Sequence, residues 1–389
     1  DDEEIESYVE DCDNDDDGNN NSDTSKDDPT YIEKKTINFS RIKFNERKIK
    51  ARYQKPNDLI SDGILEINHI KKHHQKLYQI LETNNCLRDF VYPELSDSIG
   101  LNERERGFVR DYILYGKATV PEERSQNRNF YDSLISFLKQ LQIIWKSKSY
   151  QERSETINEK SYSHQVVKPI MDFTLHNINN VESRYDGHPS EATQRRNAGE
   201  DGPIRYPDLF SYKEHEKHAI NIAFIHGEIS NGPFVEINAQ HLKHISNDKI
   251  RLGKFAKDNL SYYQFFIDDF DSEDLEGDLY EFQNTMLHFH HDKMDIYLMD
   301  YELDPFYRMC LVKSFDLPLT KSQNIHETIE RVIKLLNIII SMNQIAERNT
   351  RIIDNIDNIV AVMSRENRIP ERSNVILTNA TPYVLAAHH

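Results

Sequence analysis

A mixed β-sheet flanked by helices, an α/β or α+β sandwich, is the architecture that the apolar pattern of these 389 residues predicts. Three observations carry it. Between Ser154 and Leu319 the pattern runs helix, strand, strand, helix, strand, strand, strand. Within that run, "AINIAFIHGEIS" (Ala219–Ser230) is apolar on both parities, which suits a central strand covered on each face. Upstream, apolar residues recur at helical spacing and predict a small helical unit ahead of the sheet.

Residues 1–30 hold fourteen Asp and Glu against one Lys, which is −13 of the chain's −18. Like charges repel, and too little apolar area opposes chain entropy, so this acidic leader is expected to be disordered. The sign then reverses. From Lys34 to Lys55 nine Lys and Arg face one acid, Glu46. This basic segment, within 31–60, fits a nuclear import signal, a nucleic-acid contact, or a solvated block that pairs with the leader. The rest of the chain is only mildly acidic, so whole-chain charge says little about what the body binds.

Over 61–150 the sequence predicts a helical domain. Leu65, Ile70, Leu77, Ile80 and Leu81 mark one helix, and Phe130, Leu134, Phe137, Leu138, Leu141 and Trp145 another. Between them "LNERERGFVRDYILYGK" predicts a third, capped near Asn102. A sheet domain with a C-terminal helix follows over 151–346. Its first helix carries Val166, Val167, Ile170 and Phe173, with Pro169 at a kink or turn. "ESRYDGHPSEATQRRNAGEDGPI" reads as loop. "DLFSY" and Ala219–Ser230 read as strands, and "SNDKIRLGKFAKDNLSYYQFFI" as a helix capped by Ser246 or Asn247. Two strands joined at "HDK", a strand "FYRMCLVKSFDL", and a long helix with Ile325, Ile329, Val332, Leu336 and Ile339 on one face complete the domain. A polar tail is expected over 347–389.

Cys12, Cys86 and Cys310 make neither a disulfide framework nor a zinc-knuckle spacing, and a reducing compartment is the simplest reading. The longest apolar run, Val332–Met342, is short and broken by Lys334 and Asn337, so no membrane span is expected. The expected location is intracellular, in nucleus or cytoplasm. Only 12 glycines occur and none form a phosphate-cradling loop, which disfavours nucleotide binding of that kind.

The chemistry-bearing feature is a carboxylate, Glu228, at the end of the most apolar strand. A buried charge needs a partner. Glu228 and Ser230 share one strand face. A hairpin from the preceding strand brings Asp208 toward Glu228. Two converging carboxylates repel unless a cation sits between them, and oxygen ligands suit Mg2+ or Mn2+. Arg195, Arg196 and Arg205, just upstream, fit phosphate contacts or loop pairs with Glu191 and Glu200. His288 and His290 share a strand face and fit half of a zinc site, with no third ligand evident. His69 and His73 stand i, i+4 without the intervening Glu of a metalloprotease helix. Six acids over Asp268–Glu276 do not match a calcium loop and read as solvated. The aromatics of "SYYQFF" fit core packing or base stacking.

A helix with an acid ("NEKSYSHQVVKPI"), then Pro-Asp ("RYPDLF"), then a strand ending Glu-x-x ("GEIS") resembles the PD-(D/E)XK nuclease superfamily. More narrowly, "HPSEATQRRNAGEDGPIRYPDLF" with "IHGEISNGPF", "DKIRLGKFAKD" and "FDLPLT" resembles uncharacterised proteins abundant in early-diverging fungi and domains of Crinkler-type effectors. The resemblance covers about 154–320. It implies a restriction-endonuclease-like fold and Mg2+- or Mn2+-dependent hydrolysis of phosphodiesters in DNA or RNA. On it, Asp208 and Glu228 are the metal ligands and Glu159 is the acid of the first core helix. Ser230 stands where the pattern has Lys, and Lys249 or Lys254 of the next helix is the expected substitute. The alternative is a nuclease-like fold without catalysis that binds protein or nucleic acid, or acts as a host-interaction effector.

Overall fold

A computed structural model describes residues 9–10, 43–44, 59, 64–83, 100–120, 124–185, 187–188, 190, 192, 206–215, 220–268, 281–303 and 306–365. Strands β1 (Ile64–Glu66), β2 (Val181–Tyr185), β3 (Leu209–His215), β4 (Ile220–Ser230), β5 (Asn284–His290), β6 (Lys293–Leu303) and β7 (Phe306–Asp316) form one seven-stranded sheet. Its order is β1-β7-β6-β5-β4-β3-β2. The β1–β7 and β4–β5 pairs are parallel and the other neighbours antiparallel. Helices are α1 (Ile67–His73), α2 (Gln75–Thr83), α3 (Glu103–Tyr115), α4 (Arg124–Lys146), α5 (Lys148–Gln151), α6 (Glu159–Tyr162), α7 (Lys168–Thr174), α8 (Ala239–Asp268) and α9 (Ile325–Arg365).

A parallel pair needs a crossover, and α8 supplies it between β4 and β5. On one sheet face His226 of β4 stacks on Phe255 of α8. On the other, Phe289 of β5 meets Tyr162 of α6 edge-on. The sheet is thus a middle layer. β4 is buried from Ile222 to Ser230, as its two-sided apolar pattern requires.

Helix α3 is held by a capping box: Asn102 Oδ1 accepts from the N–H groups of Arg104 and Glu105, and Glu105 reaches back to the Asn102 N–H at 2.9 Å. The helices of 100–150 do not close on a core of their own. Leu134, Phe137, Leu138, Leu141 and Trp145 join the same apolar cluster as the sheet and α9. Trp145 Nε1 donates to the Pro318 carbonyl at 2.7 Å, and the Leu101 N–H to Asn337 Oδ1 at 3.0 Å. Each such buried side chain contributes about 1.5–3 kcal/mol relative to exposure.

Other boundaries differ from the sequence reading. Ile64–Glu66, read as helix, pairs with Tyr307–Met309 as edge strand β1. Val181–Tyr185, read as loop, is edge strand β2, with alternating exposure because only one face is covered. Helix α8 begins at Ala239, where Asn238 Oδ1 accepts the His241 N–H at 3.0 Å; Ser246 and Asn247 are exposed residues inside the helix, not caps. Helix α9 runs on to Arg365, because Asn349, Thr350, Ile352 and Ile353 still face the core; the tail was expected from residue 347. Pro169 is the second residue of α7, a position that needs no N–H donor of its own. A π turn, Ser163–Val167, widens the helix just before it, in place of an interior hydrogen bond that proline lacks.

Val9–Glu10 of the leader pairs antiparallel with Lys43–Phe44 of the basic segment. The other residues of the leader, most of the basic segment, Arg195, Arg196, Arg205, the acids at 269–276 and residues 366–389 lie outside the described residues. Among the described residues no helix is long and apolar enough to cross a membrane.

Candidate metal and phosphodiester site

Three segments distant in sequence bring acids to the end of β4. Pro207 is buried and Asp208 precedes β3, where its Oδ2 accepts the Ile229 N–H of β4 at 2.7 Å. The ladder pairs Leu209 with Gly227, so Asp208 lies beside Glu228. Glu228 has no exposed surface. Its carboxyl and that of Asp208 lie within hydrogen-bonding reach of each other. Glu159, first residue of α6, closes the mouth of the site and accepts the Asn231 N–H.

Two glycines make this approach possible. A Cβ on Gly232 would lie 1.8 Å from the Ile157 carbonyl oxygen, so only glycine lets the β4–α8 turn lie against the start of α6. A Cβ on Gly227 would lie 2.6 Å from Leu209 Cγ, so glycine lets the start of β3 lie flat on β4. Asn231 takes a left-handed φ of 70°, a conformation asparagine adopts more readily than most residues.

Helix α8 completes the group. Arg251 Nη2 donates to Glu228 Oε2 and to Asp248 Oδ1, each at 2.7 Å. Asp248 is buried and also accepts from the Ser230 hydroxyl. His244 Nδ1 lies 3.2 Å from Asp248 Oδ2. Four carboxyl groups therefore share one guanidinium. Two buried atoms have no hydrogen-bond partner: Glu228 Oε1 and Arg251 Nε.

Electrostatics follow from that imbalance. Burial first, then Asp208, pushes Glu228 well above the usual carboxylate range, with Arg251 opposing. Burial also raises Asp208, against the Ile229 N–H, and raises Asp248, against the Ser230 hydroxyl. Glu159 is raised to about 7 by burial of its carboxyl, then by Asp208 and Asp248. Much of the Glu159 residue is nevertheless exposed, so water screens the consequence for stability.

Of the two lysines expected to stand in for Ser230, Lys249 is engaged elsewhere. Lys249 directs its ammonium to Glu66 of β1, at 3.0 and 2.9 Å from the two oxygens. Lys254 lies one turn beyond Arg251 on α8, and the cation bonded to Glu228 is Arg251. Asp248 and Arg251 were not singled out from sequence. A signal existed: Asp248 falls in the same stripe as Leu252 and Phe255, and an acid on a buried stripe asks for a partner. Tyr262 and Tyr263 of "SYYQFF" are core residues, Tyr263 stacked on Phe282 with centroids 4.5 Å apart.

The donor set is oxygen-rich and anionic, which fits a hard divalent cation. The bare Glu228 Oε1 and the facing Asp208 carboxyl are the atoms that would hold it, with Glu159 at the mouth. On the neighbouring strand pair a second group, His288, His290 and Asp295, offers donor atoms that all lie within 4.8 Å of one another. Comparison with protein-family models, with curated proteins and with solved structures finds no match for this chain.

Proposed function

We propose that this chain is a metal-dependent nuclease of PD-(D/E)XK type, with a restriction-endonuclease-like core, that hydrolyses phosphodiester bonds in DNA or RNA. The observation that carries the reading is the pairing of the buried Asp208 and Glu228 carboxyls, from a Pro-Asp turn and a strand, against one arginine, with the helix acid Glu159 near enough to feel the charge of Asp208. Buried carboxyls in such excess are stable only when protonated or when a cation joins them. The helix, antiparallel meander, crossover helix and parallel strand from Glu159 to His290 are compatible with that core.

Mg2+ or Mn2+ bound there would supply a water of lowered pKa and stabilise charge building on the phosphate. The chain's own residues do the rest. Glu228 and Asp208 hold the cation, and the Ile229 N–H fixes the Asp208 carboxylate. Glu159, half protonated near neutral pH, takes the proton of the attacking water. Arg251 fills the role of the missing lysine. Its Nη2 donates to Glu228 and Asp248, so the guanidinium stands as the positive charge beside the acids.

The test is cleavage of supercoiled plasmid and of single-stranded RNA by the full chain. Nicking is expected with Mg2+ or Mn2+ and not with EDTA, with a loss on the order of 10²–10³-fold in Asp208→Asn and Glu228→Gln. Cleavage indifferent to metal or to both variants overturns the reading. A second reading, a nuclease-like fold that binds nucleic acid or a protein without cutting, is favoured by Ser230 at the lysine position and by Arg251 tied to two acids. Retained plasmid binding with no metal-dependent nicking in the wild type selects it.

A further inference from the structure

The β5–β6 hairpin turns on His291 and Asp292, with His291 in a left-handed φ of 52°. That two-residue turn sets the register: His290 faces Lys293, and His288 faces Asp295. Residues two apart share a face, so His288, His290 and Asp295 project together. We propose that these three side chains form a second metal site, distinct from the carboxylate site, which takes a borderline divalent transition ion such as Zn2+.

Two imidazoles and one carboxylate select such ions, whereas all-oxygen sets suit Mg2+ and Mn2+. Their donor atoms all lie within 4.8 Å of one another, the neighbourhood in which tetrahedral bonds of about 2.1 Å, with ligand atoms roughly 3.4 Å apart, can be made. His288 is buried, while His290 and Asp295 each keep 15% side-chain exposure, which leaves an ion a path in. The hydrogen bonds already orient one ring. The Ser230 hydroxyl gives its proton to Asp248, so toward His288 it can only accept, and His288 Nε2 at 2.9 Å must donate. The His288 lone pair then lies on Nδ1. Across the strands His290 Nε2 meets Asp295 Oδ2 at 3.0 Å. A plain imidazole–carboxylate pair accounts for that contact. It does not account for His290 Nδ1 and Asp295 Oδ1, both buried without a hydrogen-bond partner.

The probe is Co2+ added to the full chain, read by its visible d–d bands and by equilibrium dialysis, with Zn2+ as competitor. With every measurement made in excess Mg2+ to occupy the carboxylate site, one Co2+ per chain is expected, displaced by Zn2+. His290→Ala and Asp295→Asn, both at partly exposed positions and checked for folding by circular dichroism, should each weaken Co2+ at least ~10-fold. Asp208→Asn should leave it unchanged, which separates this site from the nuclease reading. A wild-type chain that takes up no Co2+, binding that survives both hairpin variants, or binding lost in Asp208→Asn overturns the proposal.

Discussion

Glu228 meets no water, one guanidinium and one more carboxyl. Shape and charge can be separated at this residue. Glu228→Gln keeps the volume and a group that can donate to Asp208, and it removes a charge that burial disfavours. Without metal, this variant should melt no lower than wild type at pH 8. With Mg2+ or Mn2+, the rise in melting temperature seen for wild type should vanish. Glu228→Ala takes from Arg251 one of its two buried partners and should cost roughly 1–3 kcal/mol in urea unfolding. Equal destabilisation by both variants would mean that Glu228 is a structural ion-pair partner and not a ligand. Arg251 gives the complementary case. Arg251→Lys keeps the charge and loses the second donor, so it should retain folding while cleavage falls about 10²-fold.

At the scale of elements, the site depends on backbone approach as much as on acids. The Ile157 carbonyl occupies the space that a Gly232 side chain would need. Gly232→Ala must push α6 away from β4 and take Glu159 with it. Weaker Mn2+ binding and a lower melting temperature are expected, though no ligand is altered. Unchanged Mn2+ affinity in a folded Gly232→Ala chain would remove Glu159 from the site. The strongly periodic elements were legible in the sequence: two-sided β4, the amphipathic face of α4, and the Asn102 cap. The edges were not. β1 is only three residues long and β2 is covered on one face, so neither carries the apolar run that marks a central strand. The start of α8 was hidden because its first turns are solvated and polar, so the pattern begins only at Asp248. For the site, sequence pointed to Asp208, Glu228 and Glu159. It could not rank the basic residues of α8, since which one faces β4 depends on helix rotation, and Arg251 does while Lys249 turns to Glu66. Asp295 was missed for a related reason: the register that opposes it to His288 follows only when the turn is two residues long.

Over the whole molecule two sets of buried titratable groups oppose each other, and their balance sets the pH of greatest stability. Burial lowers His226 to about 4 and His288 to about 3, so both stay neutral in the fold. Their contribution is complete above the ordinary histidine value of 6.5 and is lost as pH falls toward those depressed values. The carboxyls act the other way. Glu159, Asp208, Asp248 and Glu228 hold protons more tightly folded than unfolded. Their contribution is complete below the ordinary carboxylate range and is lost as pH rises, through about 7 for Glu159, with Glu228 also raised well above that range. Between pH 4.5 and 6.5 the two sets partly cancel. Above pH 6.5 the histidine contribution is complete, so of the two sets the carboxyls alone change stability there. Metal-free chain should therefore lose melting temperature from pH 7 to 9, at about 1 °C per kcal/mol for a chain of this length. Glu228→Gln should flatten that limb and leave the acid limb in place. A divalent cation at about 100-fold its Kd contributes roughly 2.7 kcal/mol, and it binds the ionised form, so Mg2+ or Mn2+ should reverse the slope above pH 7. A metal-free melting temperature that stays level from pH 7 to 9 would mean that the carboxyls at the end of β4 are already satisfied by Arg251 alone.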